Sequence, residues 1–436
     1  MKTKAKWIVG ALVMLAPAAA FSQLALPTVG PALPLPDQGL GDITETLIDP
    51  VSGTVDGSVL DRLSKSELRT LLNRLRLDRL HRFVRENRDY IERDRNGDPA
   101  VRGVLIATGI SAASMDRAQK EGFQILERTE IEGLDLSYVK FATRPDKSLK
   151  SEEKHLQKLA GEADVSADNI YFTSNSSRMP ARALALSDSV LASGNVPSGA
   201  MGLIDGGVAR HSAITMAVEQ RGFAKGAPIA SSHGTAIASL ISVSNPNGRG
   251  LLAADIYGND PAGGNATAIA RALGWMAQRH VPVVAISLVG PDNGLLGRAV
   301  KAAQQKGMLV VAAVGNDGPA APPRYPAAFK GVIGVTGVDH RERALPEAGI
   351  ATPVDFAAPG AGIKGAALDG ALVPLRGTSF AAPLVAARLL AHYPAANINN
   401  IEPAVNRLVR EAKDLGKKGP DKIYGNGLLC GSCGLR

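Results

Sequence analysis

Aromatic residues are scarce in this chain: Phe, Trp and Tyr together make up 4% of 436 residues. Single-stranded nucleic acid is held largely by stacking on such rings, so the composition argues against that partner. Two cysteines are too few for a disulfide-stapled scaffold or a four-thiolate zinc site. The 7 histidines lack metal-ligand spacing, and His211 and His233 do not read as a pair. Beyond the N-terminus no apolar run approaches the roughly 20 residues of a membrane span. Residues 196–436 contain no lysine–arginine run, although they carry 23 Lys+Arg against 15 Asp+Glu; residues 23–195 carry 23 against 26. The net charge of +8 therefore reads as a basic soluble surface, not a nucleic-acid or membrane patch. What is present, 45% hydrophobic and 21% charged residues, is a globular balance with length for two or three domains.

Lys2, Lys4 and Lys6 precede an apolar stretch, residues 7–16, and the small residues Ala20 and Ser22. That is the pattern of a secretory signal peptide over 1–22, and it predicts an exported protein, periplasmic or secreted. Export places Cys430 and Cys433, spaced as Cys-Gly-Ser-Cys in the 430–436 tail, in an oxidising compartment that favours a small-loop disulfide. A redox pair would need a helix N-terminus to lower its thiol pKa, and the flanking Gly427 and Gly434 read as turn or strand. Residues 23–58, with Pro27, Pro31, Pro34, Pro36 and Pro50, form a linker. In 59–98, Leu60, Leu63, Leu68, Leu71, Leu72, Leu75, Leu77, Leu80 and Phe83 recur near helical spacing and predict an amphipathic helical pair. The interleaved Asp61, Glu67, Asp78, Glu86, Asp89 and Glu92 make its charged face a solvated one.

Residues 99–175 read as strand 101–107, helix 111–122, strands 123–129 and 136–142, helix 148–163 and strand 170–173. This βαββαβ order is that of a ferredoxin-like split unit. The small, polar residues of 176–199 form an exposed connector of the type proteases cut. From 200 to 429, apolar strands (201–204, 251–257, 281–288, 308–314, 332–338) alternate with helices (232–243, 266–279, 295–306, 380–390). That rhythm predicts an α/β fold with a parallel sheet covered by helices on both faces.

Three segments carry candidate chemistry. Gly377-Thr378-Ser379-Phe380-Ala381-Ala382-Pro383 puts a serine where a loop feeds a helix, near the helix's positive end; a plain N-cap serine fits there too. His233-Gly234-Thr235 opens another helix, and Gly234 lets a second chain come close to the imidazole; a surface histidine also fits. Asp205 ends an apolar strand before Gly206 and Gly207, where sites form in open α/β sheets; a turn aspartate fits as well. Together they give the order Asp, His, Ser on one α/β chain. A serine nucleophile needs a base, and the base needs an orienting carboxylate.

On these residues the chain, from near 198 to near 430, resembles the subtilisin-like serine proteases. Ile204-Asp205-Gly206-Gly207-Val208, His233-Gly234-Thr235 and the Ser379 segment are similar to that family's three triad segments. The resemblance implies a serine endopeptidase with Ser379 as nucleophile, His233 as base and Asp205 as its orienting group. Val310-Val-Ala-Ala-Val-Gly315-Asn316 resembles the oxyanion-hole segment, which implies that Asn316 and the Ser379 N–H bind the oxyanion. Ser287, Leu288, Val289 and Gly290 resemble the substrate-binding edge strand, with Ala312, Ala313, Val314 and Gly315 as the opposite wall of the first specificity pocket. Val289 departs from the pattern, standing where a glycine is common.

The same resemblance casts 99–175 as a propeptide that plugs the cleft in cis, with a maturation site in 176–199. It implies a monomer acting on protein or peptide substrates. The 59–98 helices have no counterpart in it. The family often binds calcium, but neither 244–248 nor 255–260 forms a carboxylate ladder, so no metal and no cofactor is expected. Two rivals stay open: a permanently plugged binding protein, and an esterase using the same triad.

Overall fold

A computed structural model describes residues 64–173, 196–245 and 248–433. The expected signal peptide and linker, and residues 174–195 of the connector region, lie outside these. Among the described residues the first element is one helix where a pair was expected, α1, Lys65–Glu86; Leu60, Asp61 and Leu63 of that expected pair lie outside them. Its start is set by a capping box, in which the Ser64 side chain accepts from the Glu67 N–H and the Glu67 side chain accepts from the Ser64 N–H. No breaker interrupts the next 22 residues. Leu71, Leu72, Leu80 and Phe83 are buried, while Leu77 is exposed.

The residues that would have made a second helix include instead a short strand, β1 (Ile91–Arg93). β1 joins the N-terminal sheet beside β2, Pro99–Thr108. The module continues with α2 (Ala112–Lys120), β3 (Gln124–Ile131), β4 (Leu136–Ala142), α3 (Leu149–Ala160) and β5 (Asp164–Asn169). All pairs are antiparallel, with β2 between β4 and β5 and β3 outermost. Leu105, Phe123, Phe141, Leu149, Leu156 and Val165 fill its core.

The last strand corrects the expectation. The sheet's final strand is 164–169, not 170–173. Its polar residues hide it from a hydrophobic reading, because they are satisfied by partners far away in sequence. Asp168, fully buried, accepts from the Thr267 N–H (3.0 Å) and hydroxyl (2.8 Å). Asn293 donates to Ala167 O (2.8 Å) and to Asn169 Oδ1 (3.0 Å). Phe172–Thr173, called β6, leaves the module altogether and pairs elsewhere.

Next come β7 (Met201–Asp205), β8 (Val218–Gly222), α4 (Ser232–Ser244), β9 (Leu251–Asp255), α5 (Ala266–Gln278), β10 (Val283–Ile286), β11 (Leu288–Val289), α6 (Gly294–Gln305), β12 (Leu309–Ala313), β13 (Ile333–Val338) and β14 (Phe356–Pro359). A hairpin, β15 (Ala361–Ala366) and β16 (Leu372–Arg376), then leads to α7 (Thr378–His392) and α8 (Ile401–Glu411). Seven strands form one parallel sheet in the order β14-β13-β12-β10-β7-β9-β8. The α5 and α6 side chains pack on one face, and those of α4, α7 and α8 on the other. This is the doubly covered parallel sheet the alternation predicts. Strand β8 escaped that reading because it is an edge strand whose Glu219 and Arg221 face outward, Glu219 pairing with Arg279. Cys430 and Cys433 are joined as a disulfide.

The module docks on the start of α5 and α6, so the Asp168 carboxylate lies at a helix N-terminus, where negative charge is favoured. Its β3–β4 turn reaches the far end of α5 at Gly274. A Cβ there would stand 2.7 Å from Glu132 O. Replacing Gly274 with Val should therefore push the turn away and destabilise the uncut chain by about 1–3 kcal/mol. Urea denaturation would check this, and an unchanged midpoint would show that the close approach contributes nothing.

Candidate active site

Asp205 ends β7 at the carboxyl edge of the sheet and is fully buried. The Gly206 N–H donates to its Oδ1 at 2.8 Å. His233 sits in the first turn of α4, whose N-cap Ser231 accepts from the Gly234 N–H. A Cβ on Gly234 would come within 2.9 Å of Gly207 O, so only glycine lets α4 approach the Asp205 loop this closely. The result is a short contact: His233 Nδ1 lies 3.0 and 2.9 Å from the two Asp205 oxygens. A carboxylate accepts only, so Nδ1 carries a proton, and in the neutral ring Nε2 is the acceptor. Nε2 is buried and makes no hydrogen bond.

Ser379, also fully buried, is the second residue of α7, after Gly377 at φ 136. Its hydroxyl points to Ser287 O at 3.4 Å and not to His233; in return the Ser287 hydroxyl donates to Ser379 O at 2.8 Å. The Asp205–His233 contact is thus assembled, and among the described residues no His233–Ser379 bond is made. Catalytic contacts of this kind often tighten only when substrate binds. Asn316 follows β12, and its Oδ1 accepts from the Thr378 N–H at 3.0 Å. Thr378 in turn accepts from the Gly315 N–H through Oγ1 at 3.2 Å. These two bonds tie the Asn316 loop to the N-terminus of α7 and commit the amide's carbonyl end, so its Nδ2 end is the donor.

The expected edge strand is already paired. Thr173 lies opposite Leu288 and Phe172 opposite Val289, antiparallel. On its other side this tail bonds to the α5 entry loop, with the Tyr171 N–H donating to Gly264 O at 2.8 Å. The Tyr171 hydroxyl donates to Pro291 O (2.8 Å), and the Tyr257 hydroxyl to Tyr171 O (2.9 Å). Burial pushes both phenol pKa values well up. Gly290 exchanges two backbone bonds with Tyr325 and lies under the Tyr171 ring.

On the opposite wall the four expected residues separate. Ala312 and Ala313 belong to the two core clusters, and the Val314 N–H is bonded to Val335 O. Gly315, at φ 95, is the one the structure brings against the edge strand. A Cβ on it would lie 3.2 Å from Val289 Cγ1 and 3.6 Å from Arg324 Cγ.

Sequence reasoning missed Arg324, Asp317 and Asp255. Arg324 is buried and donates through Nε (2.7 Å) and Nη2 to Asp317 Oδ2, while Arg79 of α1 donates to Asp317 Oδ1. Burial opposes ionisation of Asp317, but the charges and hydrogen bonds of Arg79 and Arg324 outweigh it and hold the carboxyl well below its usual range. The only available pointer was the position of Asp317 directly after Asn316. Asp255 lies opposite Asp205 in the sheet register. Burial raises its pKa, against N–H bonds from Ile229, Gly258 and Tyr257. The Ile229 bond steadies the segment that leads into the His233 helix. Among the described residues no group of three or more His, Cys, Asp or Glu is placed to hold a metal.

A model described as the subtilase family matches residues 215–427, a stretch that begins just after Asp205 and contains His233, Asn316 and Ser379. Minor extracellular protease Epr of Bacillus subtilis is 31% identical over 212 residues, 45% of this chain; the chain spans only 32% of Epr. Subtilisin Savinase of Lederbergia lenta is 31% identical over 207 residues, 45% of this chain and 75% of that protein. The crystal structure of the epidermin leader peptide processing serine protease of Staphylococcus aureus superposes with a TM-score of 0.53 at 16% identity, covering 74% of this chain and 96% of that one. That last likeness concerns the fold alone.

Two outcomes follow from the geometry. Asn316→Ala should lower kcat by about 10²–10³ with KM little changed, the size of effect known for the oxyanion donor of a subtilisin. An unchanged kcat would remove Asn316 from the oxyanion site. Val289→Gly should open space beside Gly315 and move the Phe-to-Ala ratio of kcat/KM, at the residue before the cut, by more than about threefold. A smaller change would show that Val289 does not set the pocket.

Proposed function

The chain belongs to the subtilase family of serine endopeptidases, and we propose that it is an exported endopeptidase made as a zymogen, with Ser379, His233, Asp205 and Asn316 in the family's four roles. The observation that carries this reading is the buried His233–Asp205 contact at the same carboxyl edge that holds Ser379. In the reaction His233 Nε2 takes the Ser379 proton as Oγ attacks the substrate carbonyl. The carbonyl oxygen becomes an oxyanion held by Asn316 Nδ2 and the Ser379 N–H. The imidazolium, steadied by Asp205, then passes its proton to the leaving amine, and water repeats the sequence on the acyl-enzyme.

The tail at 170–173 supports the propeptide reading. It lies as an extended peptide substrate would, between 264–265 and 288–290, using main-chain bonds on both sides. A substrate in that register sets the residue after Thr173's place opposite Ser287, whose carbonyl is 3.4 Å from Ser379 Oγ. Self-cleavage is accordingly proposed within a residue or two of Thr173, at the border of the expected connector. The substrates are proteins or peptides, and the secreted character of Epr, named an extracellular protease, agrees with export to the periplasm or beyond. The same plugged cleft is what a permanently closed binding protein would show, and turnover separates the two.

With purified protein, casein should be cut and the mature N-terminus should fall at 174–176. Ser379→Ala should abolish both casein cleavage and maturation. If that variant reaches the mature size in a host free of other proteases, self-processing is wrong. If wild type matures yet cuts neither casein nor short peptides, the binding-protein reading takes its place.

A further inference from the structure

Asp255 is a buried carboxylate with no part in the proton transfers above. It ends β9 at the carboxyl edge of the sheet as Asp205 ends β7, and the two are register partners. Such partners stand about 4.8 Å apart and turn their side chains to the same face. A second carboxylate at this place is unfavourable in itself: burial, and the Asp205 charge beside it, push its pKa up. Three N–H groups answer it, divided between its two oxygens. Oδ2 accepts from Ile229 at 2.7 Å. Oδ1 accepts from Tyr257 at 2.9 Å and from Gly258 at 3.0 Å. We infer that Asp255 is a positioning residue for the histidine base: one oxygen sets the loop that leads to His233, and the other sets the wall of the substrate lane, so that base and substrate share one frame. This rests on the protease reading above.

From Oδ2 the path to His233 runs through hydrogen bonds. Residues 223–229 form no helix or strand, so tethers of this kind decide where they lie. Ile229, held by its N–H, accepts at its carbonyl from the Gly207 N–H (3.1 Å), and Gly207 O accepts from the Ser231 N–H (2.8 Å). Gly207 and Ala230 thereby form a parallel bridge that lays the loop along the residues after Asp205. Ser231 then caps α4, its hydroxyl accepting from the Gly234 N–H at 2.9 Å. His233 rides on that first turn. A shift of Ile229 is passed to the imidazole, while Asp205 stays with its own strand and the Gly206 N–H. From Oδ1 the tie goes the other way. Tyr257 packs its ring against Gly264 and donates its hydroxyl to Tyr171 O in the tail, and Gly264 O accepts from the Tyr171 N–H. Two acceptor oxygens are needed at once. Asparagine has one, and its NH2 would face an N–H. A displacement of about 1 Å between reacting groups can cost about 10²-fold in rate.

The test compares matured wild type with Asp255→Asn on one fluorogenic peptide. The variant's kcat should fall at least about tenfold, with KM within about threefold. Ser231→Ala, at the other end of the path, should lower kcat by at least about threefold. Tyr393→Phe is the control. It removes a buried hydroxyl bond to Gly307 O at the opposite edge of the sheet, so it should lower the urea midpoint and leave kcat unchanged. In the full-length Ser379→Ala chain, the downfield NMR resonance of the His233 Nδ1–H should move or broaden when Asp255→Asn is added, and stay in place when Tyr393→Phe is added. An Asp255→Asn enzyme with kcat within about threefold of wild type overturns the inference, and so does an unmoved His233 resonance. An equal fall of kcat in Tyr393→Phe overturns it as well, since loss of stability would then suffice. If Asp255→Asn does not mature, Ser231→Ala decides, and an unchanged kcat there overturns the path. A wild type that cuts no peptide sinks the protease reading itself, while the His233 resonance still reports whether Asp255 sets the Asp205–His233 contact.

Discussion

The contact between Asp205 and His233 depends on an absence, the missing side chain of Gly234. Asp205 is fixed by the end of a buried strand and His233 by the first turn of a helix. The two can meet at 2.9 Å only if that helix comes down on the backbone of Gly206 and Gly207. The rest of the site is arranged around this approach. Because β10 and β12 are neighbours in the sheet, the segments that follow them, Ser287 and Gly315 with Asn316, emerge side by side. The start of α7 closes the gap from above, bonded to both segments through Ser379 and Thr378. Parallel strands deliver their carboxyl ends to one edge, so groups more than a hundred residues apart in sequence share one face.

What was legible in the sequence was whatever ends an apolar run. Asp205, Gly315 and Asn316 announce themselves because buried parallel strands are nearly continuous hydrophobic stretches that stop abruptly. The antiparallel module was legible for a different reason, the alternation along its strands, with one exception. Asp164, Ser166 and Asp168 form a strand whose polar side chains are answered by Thr267 and other groups outside it, and no local pattern reveals a partner a hundred positions away. The helix at 65–86 was visible as periodicity, but its contacts were not. Arg79 looks like any arginine on a charged face until Asp317 is seen opposite. Arg324 was hidden among prolines, in a stretch with no period at all.

Two devices of different kind lie across the proposed cleft. The tail uses backbone bonds on both sides, which are indifferent to side-chain identity. Helix α1 uses side chains: an ion pair, an aromatic edge contact and a leucine over a glycine. The first kind suits a segment that must resemble substrate in general. The second suits an element that must recognise this cleft and no other, since charge and shape complementarity discriminate where main-chain pairing does not.

The sharing of one carboxylate by two arginines constrains how the sequence can drift. Losing Arg79 leaves Asp317 with Arg324, a buried pair that is still neutral overall. Losing Asp317 leaves the buried Arg324 without its hydrogen-bonded partner and with Asp98 as the remaining nearby carboxylate, and removing one partner of a buried pair costs about 3–5 kcal/mol. The two substitutions are therefore not equivalent first steps. Abandoning the arginine on α1 first is the less destabilising step, and abandoning the aspartate first the more destabilising one. Among homologues an Arg79 position without its aspartate should accordingly be rare, and an Asp317 position without Arg79 common.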